Sequence, residues 1–157
     1  VNTKLAIDPS NANGARLASE RAMHAMFACL GIPRSYLDLA CHNGYMVRAA
    51  RMFGCKPSIG QTYDPEVKRD ARLYARLIIG EIVGQFELVT SIHSPMDAAP
   101  YVALDGHYVV ARAFPFGKGE LVCGRLRYDE DKTNDLQRSW TNVAGPLPGY
   151  VQVYVNA

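Results

Sequence analysis

The segment Ser35-Tyr36-Leu37-Asp38-Leu39-Ala40 is a short apolar run that stops at the turn-prone His42-Asn43-Gly44, after which Val47, Ala50 and Phe53 recur at helical intervals. A strand, a tight turn and a helix in immediate succession constrain the fold strongly. A helix placed straight after a strand is the usual means of crossing to a parallel neighbour in the same sheet. The pattern then repeats. Pro57 to Thr62 reads as a second short strand and ends at Tyr63-Asp64-Pro65-Glu66, where Asp64 suits a helix N-cap and Pro65 the first helical position. Val67, Ala71, Tyr74 and Ile78 share one face of the helix so started, and Gly80 stands where it would stop. Phe86 to Ile92 is a nearly continuous apolar run, the pattern of a parallel strand covered on both sides.

Around this centre, Val1 to Asn13 is mixed and punctuated by Pro9, Asn11 and Asn13, which suggests a leading arm. Leu17, Ala18, Ala22, Met26 and Leu30 step by three and four within an amphipathic helix over 15–30, closed by Gly31. Pro95 to Leu104 has no clear type. Asp105-Gly106 marks a turn before a strand from His107 to Phe114. Glu120 to Tyr128 and Tyr150 to Val155 read as an antiparallel pair closing one sheet edge, joined by a polar connection that holds Trp140. Trp140 suits a lid or an interface anchor, and equally burial against the sheet edge. The expected architecture is one α/β domain over residues 1–157: an arm at 1–13, a core at 35–114 and a C-terminal strand pair at 120–157. Its sheet is mostly parallel, with helices on both faces and a C-terminal antiparallel hairpin.

Length agrees with one core, since 157 residues suffice to bury roughly two-thirds of the surface of the unfolded chain. Apolar residues make up 48% and charged residues 20%, far from the composition of a disordered chain. Seventeen basic and fifteen acidic side chains leave a net charge of +2, too little to indicate a nucleic-acid partner. Lys68, Arg69, Arg72 and Arg76 recur at helical spacing and read as a solvated helix face. Cys29, Cys41, Cys55 and Cys123 form no CxxC pair, so they suggest reduced thiols and no metal. No run of 18 apolar residues exists, and Val1 onward has no signal-peptide character, so no membrane association and a cytoplasmic setting are expected.

Tyr36-Leu37-Asp38-Leu39-Ala40-Cys41-His42-Asn43-Gly44-Tyr45 resembles the first motif of class I S-adenosylmethionine-dependent methyltransferases, roughly apolar-Leu-Asp-apolar-Gly-Cys-Gly-x-Gly. About twenty residues later, Ile59-Gly60-Gln61-Thr62-Tyr63-Asp64-Pro65-Glu66 is similar to the family's second motif, a strand ending in an acid before a helix. The resemblance covers about Ser35 to Phe114 and implies a Rossmann-like fold with S-adenosylmethionine as cofactor. It also implies a crevice beyond the strand ends lined by Asp38, Ala40, His42, Gly44, Thr62, Tyr63 and Asp64. Ala40 and His42 stand at the motif's first two glycine positions, and Gly44 keeps the third. The His42 imidazole either fills part of the pocket or turns outward. Thr62 stands where the family's acid holds both ribose hydroxyls, and a threonine cannot reproduce that fork. Asp64 could substitute, although capping the helix is its favoured role.

In the family, groups that act on the methyl acceptor follow the fourth strand. Here that segment is Ser91-Ile92-His93-Ser94-Pro95-Met96, with His93 the base candidate and a loop histidine the competing reading. No Gly-x-Ser-x-Gly elbow and no G-x-x-x-x-G-K-[ST] loop is present. Three functions are consistent with these residues. One is a small methyltransferase of unknown acceptor. The second is a methyltransferase-like domain that has lost its cofactor and serves as an interaction module, as a homo-oligomer or with a protein partner. The third is an enzyme using another nucleotide-like ligand.

Overall fold

The computed structural model describes residues 12–92, 97–112 and 124–157. Its elements are α1 (Ala12–Leu30), β1 (Tyr36–Asp38), α2 (Tyr45–Met52), β2 (Ser58–Thr62), α3 (Pro65–Ala71), β3 (Leu77–Ile79), β4 (Phe86–Ile92), a 3-10 helix (Ala99–Tyr101), β5 (Val102–Arg112), β6 (Arg127–Tyr128), α4 (Glu130–Ala144) and β7 (Tyr150–Val155). Seven strands form one sheet in the order β3-β2-β1-β4-β5-β7-β6. The first five are parallel to their neighbours, and β7 runs antiparallel to both β5 and β6. The chain therefore builds outward from β1 through β2 to β3, then returns to lay β4 on the other side of β1. That reversal opens a crevice beyond the carboxyl ends of β1 and β4, where sheets of this type bind ligands.

Alternation along the strands divides the interior into two cores. Tyr36, Leu88, Val109, Val151 and Val153 face a layer made by the four described α-helices, which contribute Met23, Met26, Ala50, Leu136 and Trp140 among others. Leu37, Ile59, Val89, Tyr108 and Val110 face the opposite side, where the described cover is Ala99 of the 3-10 helix with Ile82, Ala98 and Leu126. Both faces carry helix, but very unequally. Each fully buried Met or Leu in the helical layer contributes about 1.5–3 kcal/mol of apolar burial.

Several element boundaries depart from the sequence reading for identifiable reasons. The helix after Asp64 ends at Ala71 rather than running to Ile78; Leu77, Ile78 and Ile79 pair with Gly60, Gln61 and Thr62 as strand β3. The apolar spacing of Val67, Ala71, Tyr74 and Ile78 spans a helix, a turn and a strand, with the first three on the helical side of the sheet and Ile78 on the opposite side, so periodicity alone could not separate them. The expected turn at Asp105-Gly106 lies within β5, which begins at Val102; a register shift against β4 and a φ of 62° at Asp105 absorb it. Of the strand expected over 120–128, only Arg127 and Tyr128 are strand among the described residues. The connection before β7 is no loop. It is the 15-residue helix α4, capped by Asp129 accepting from the Lys132 amide at 2.9 Å. Trp140 is buried in α4, inside the helical layer rather than at the sheet edge.

Candidate functional site

The turn from β1 into α2 is held from both sides. Leu39 donates its amide to the Thr90 carbonyl of β4 at 2.9 Å, and Cys41 donates to the Gln61 carbonyl of β2 at 2.8 Å. The Tyr74 hydroxyl donates to the Asn43 carbonyl at 2.8 Å, with the Tyr74 ring stacked on Tyr45. Within this frame Ala40, His42 and Gly44 have φ values of 51°, 49° and 80°. All three lie in the left-handed region, which costs a non-glycine residue about 1–2 kcal/mol. The backbone thus keeps a glycine-type path at two positions that are not glycine.

Asp38 ends β1 beneath this turn and is 3% exposed. Thr90 Oγ1 on the neighbouring strand donates to Asp38 Oδ1 at 2.7 Å and therefore accepts from the Tyr36 hydroxyl, 2.5 Å away. Burial outweighs the Thr90 hydrogen bond and raises the Asp38 carboxyl to about 7. The same burial, with Asp38 beside it, pushes the Cys41 thiol far above its ordinary value, which leaves an inert thiol.

Beyond the ends of β1 and β4 lies a pocket roofed by two helices. Ser19 reaches it from α1, Asp38 and His42 from the turn, Ile92 from the end of β4, and Trp140 from α4. Pro146 and Pro148, in the segment leading to β7, finish its rim. The His42 ring turns toward the sheet: its Nε2 lies 3.2 Å from the Ile92 carbonyl, bridging the first strand's turn to the end of the fourth. Of the two orientations open in the sequence, it takes the one that lines the pocket. Ser19 is 1% exposed, and among the described residues its Oγ has no hydrogen-bond partner. An unpaired buried hydroxyl costs about 1–3 kcal/mol, so its retention on the wall of a pocket directs attention there.

The remaining sequence candidates separate from this pocket. A Cβ on Gly44 would lie 3.2 Å from Ala75 Cβ and 3.4 Å from Leu77 Cδ2, so Gly44 faces the core between α2 and β3. Ala40 shapes the turn and does not line the pocket. At the end of β2, buried Thr62 accepts from the Asp64 amide through Oγ1 at 3.1 Å, and Asp64 accepts from the Glu66 amide at 2.9 Å as the cap of α3. Tyr63 is 65% exposed, and its hydroxyl accepts from Gln61 Nε2 at 3.2 Å. His93 lies outside the described residues. Sequence reasoning did not single out Ser19, although one signal was available: it interrupts the otherwise apolar stripe of Ala15, Ala22 and Met26 on α1. Trp140 was noticed without its helix. Among the described residues no group of three or more His, Cys, Asp or Glu side chains is placed to hold a metal ion, and no helix is long and apolar enough to cross a membrane.

Neither a family model nor a curated protein sequence matches the chain. Solved structures match its fold. The plantazolicin methyltransferase BpumL, solved with a monoazolic desmethylPZN analog and SAH, aligns with a TM-score of 0.58 over 94% of this chain and 90% of that one, at 11% identity. A chain of a complex of the Haloferax volcanii Trm112 methyltransferase activator aligns with a TM-score of 0.57 over 96% and 97%, at 16% identity. The ribosomal protein L11 methylase from Lactobacillus delbrueckii subsp. bulgaricus gives 0.51 over 86% and 75%, at 14% identity. The chain has the fold of the class I S-adenosylmethionine-dependent methyltransferases.

Proposed function

We propose that this chain is a single-domain, cytoplasmic methyltransferase that binds S-adenosylmethionine across the carboxyl ends of β1, β2 and β4. The observation that carries the reading is the turn over residues 40, 42 and 44. Its left-handed path persists with alanine and histidine where glycine would relieve the strain. Strain of this kind survives where the surrounding structure over-determines it, commonly at a ligand site. The residues present fit the group in part. The turn brings backbone close to the crevice, and Asp38 offers a buried acceptor beneath it. At the end of β2, Thr62 supplies a single hydroxyl in place of a carboxylate fork, so modest affinity is expected.

The cofactor would supply an electrophilic methyl group on a sulfonium. The chain's own residues would then hold an acceptor near the end of β4, where His42 reaches Ile92, and exclude water with the α1 and α4 roof. His93, the residue after β4, keeps its place as a base candidate for this function. The acceptor itself is unknown.

A second reading, an interaction module without cofactor, is favoured by one observation. The Thr62 hydroxyl and the Asp64 carboxylate are both engaged locally, in the turn and the helix cap. The experiment that separates the two is a calorimetric titration of S-adenosylmethionine and S-adenosylhomocysteine into the wild-type protein and a Thr62→Asp variant. Binding in the micromolar range, tightened by the variant, supports the methyltransferase. No heat at millimolar ligand in either protein sinks it and favours the module, whose protein partner or self-association would then be sought.

A further inference from the structure

The basic residues that read from the sequence as one solvated helix face do not share a helix. Lys68 lies in the last turn of α3, Arg72 is its C-cap, and Arg76 stands at the entry to β3, where its carbonyl accepts from the Gly60 amide at 3.0 Å. Arg69 turns aside to Asp70. In its place Arg51, from the last turn of α2, joins Lys68, Arg72 and Arg76 around a groove of about 490 Å³ floored by buried Ala75 and Leu77. This groove is separate from the pocket under α1 and α4. Helix α2 stands between them, with Met46 lining the pocket and Arg51 the groove.

Among the described residues none of the four cations forms an ion pair, and no Asp or Glu lines the groove. The net charge of +2 therefore averages over an uneven surface. Helix macrodipoles account for Arg51 and Lys68, because a cation is favoured in a last turn. They do not account for Arg76, nor for cations converging from three parts of the chain on one concavity. Like charges so gathered repel one another, and a bound anion relieves that repulsion.

Three of the four are arginines, whose planar fork pairs with phosphate through two parallel hydrogen bonds. Cations distributed around a groove suit an anion that presents its phosphates one after another. The apolar residues lining the groove are buried or half-buried, so none stands out of it to enter a bilayer. Among the described residues no aromatic side chain lines it, so it offers no surface on which bases would stack.

We propose that this groove binds the phosphodiester backbone of a nucleic acid, without reading its sequence, through Arg51, Lys68, Arg72 and Arg76. The contact is electrostatic, so its strength depends steeply on salt.

The test is fluorescence anisotropy of a labelled 20-nucleotide oligouridine titrated with the full chain at 50–200 mM sodium chloride. Micromolar binding is expected at the lowest salt. Four neutralised phosphates, at about 0.7 each for a single strand, predict a slope of about −3 in log K against log salt, or about fiftyfold weaker binding at the highest salt. Arg76→Gln should lower the slope by about 0.7. The triple variant Arg51→Glu, Arg72→Glu, Arg76→Glu should abolish binding; these side chains are exposed, and the corresponding triple Gln variant gives a second reading if charge reversal disturbs the fold seen by circular dichroism. Arg138→Gln, an exposed cation on α4 already paired with Asp135, should bind as the wild type does. No binding at 50 mM salt, or binding that both triple variants retain, overturns the proposal. Equal competition by polyglutamate would give the groove to an acidic protein segment, and tighter binding to phosphatidylserine vesicles would give it to a membrane; either overturns it. None of these outcomes depends on whether the chain binds S-adenosylhomocysteine, so failure here leaves the function proposed above untouched.

Discussion

Thr90 Oγ1 stands 2.7 Å from Asp38 Oδ1 across the parallel pairing of β1 with β4, the two residues being directly registered partners. Through this contact β4, on the far side of the sheet's reversal point, fixes the carboxyl that ends β1, and the crevice receives that group in a defined orientation.

Asp38 makes stability depend on pH. Its carboxyl is raised by burial to about 7, against about 4 in an unfolded chain. The folded form therefore holds the proton more tightly. The corresponding stability is fully present below about pH 4 and is lost as pH climbs through 7, at up to about 1.4 kcal/mol per pH unit between these values. His107, lowered by burial, acts in the opposite sense as pH falls below its ordinary range. The difference between wild type and Asp38→Asn isolates the Asp38 contribution. Urea midpoints between pH 5 and 8 should fall for the wild type relative to Asp38→Asn; parallel profiles would refute the buried, proton-holding carboxyl.

Glycine restored at the turn should separate strain from bonding. Ala40→Gly relieves a φ of 51° and breaks no side-chain hydrogen bond, so a gain of about 0.5–1 kcal/mol is expected. His42→Gly relieves a similar strain but deletes the ring's bond to the Ile92 carbonyl, and its net effect should be near zero or unfavourable. Denaturant unfolding of both variants gives the comparison. Destabilisation by Ala40→Gly would contradict the strain argument.

The two motif glycines should differ in tolerance. A Cβ on Gly60 would lie 2.6 Å from Leu77 Cδ2, 2.7 Å from Cys41 Sγ and 2.8 Å from Val47 Cγ2, whereas on Gly44 the nearest atom is 3.2 Å away. Gly60→Ala is expected to cost about 2–3 kcal/mol through overpacking. Gly44→Ala should cost about 1–2 kcal/mol, chiefly from its φ of 80°. Equal thermal shifts in the two variants would count against this ordering.

The end of β2 offers a test with opposite signs. Thr62→Asp should tighten S-adenosylhomocysteine about tenfold by restoring a charged acceptor. Asp64→Ala should leave that affinity unchanged while removing the cap of α3, at about 1 kcal/mol. Loss of ligand affinity in Asp64→Ala would show that the acid, and not the threonine, faces the ligand.

Much of the fold was legible because it rests on local signals. The run from Phe86 to Ile92, the Asp64 cap with Pro65, and the strand–turn–helix around Asp38 each carry their structure within about ten residues. What escaped depends on partners distant in sequence. In α4 the fully buried positions are Thr133, Leu136 and Trp140, spaced by three and four, but the surrounding Asp, Asn, Lys and Ser obscure a stripe so narrow. Its one clear local mark is the cap at Asp129. The pocket was harder still, since Ser19 and Trp140 meet Asp38 only after both helices have docked. The turn residues were found by their spacing; that Gly44 serves the core and Asp38 the pocket is a matter of which way each faces.

The lateral contacts of α4 have a consequence for how the chain folds. Lys132 Nζ donates to the Cys29 carbonyl and Ser139 Oγ to the Ala25 carbonyl, joining residues 103 and 114 apart in sequence. On a ribosome, α1 would emerge before α4 and would wait, part of its apolar face uncovered, for the residues between them. Contacts this distant slow folding and prolong the exposure of sticky surface. The same two helices roof the pocket, so the pocket would be completed only once α4 has docked on α1.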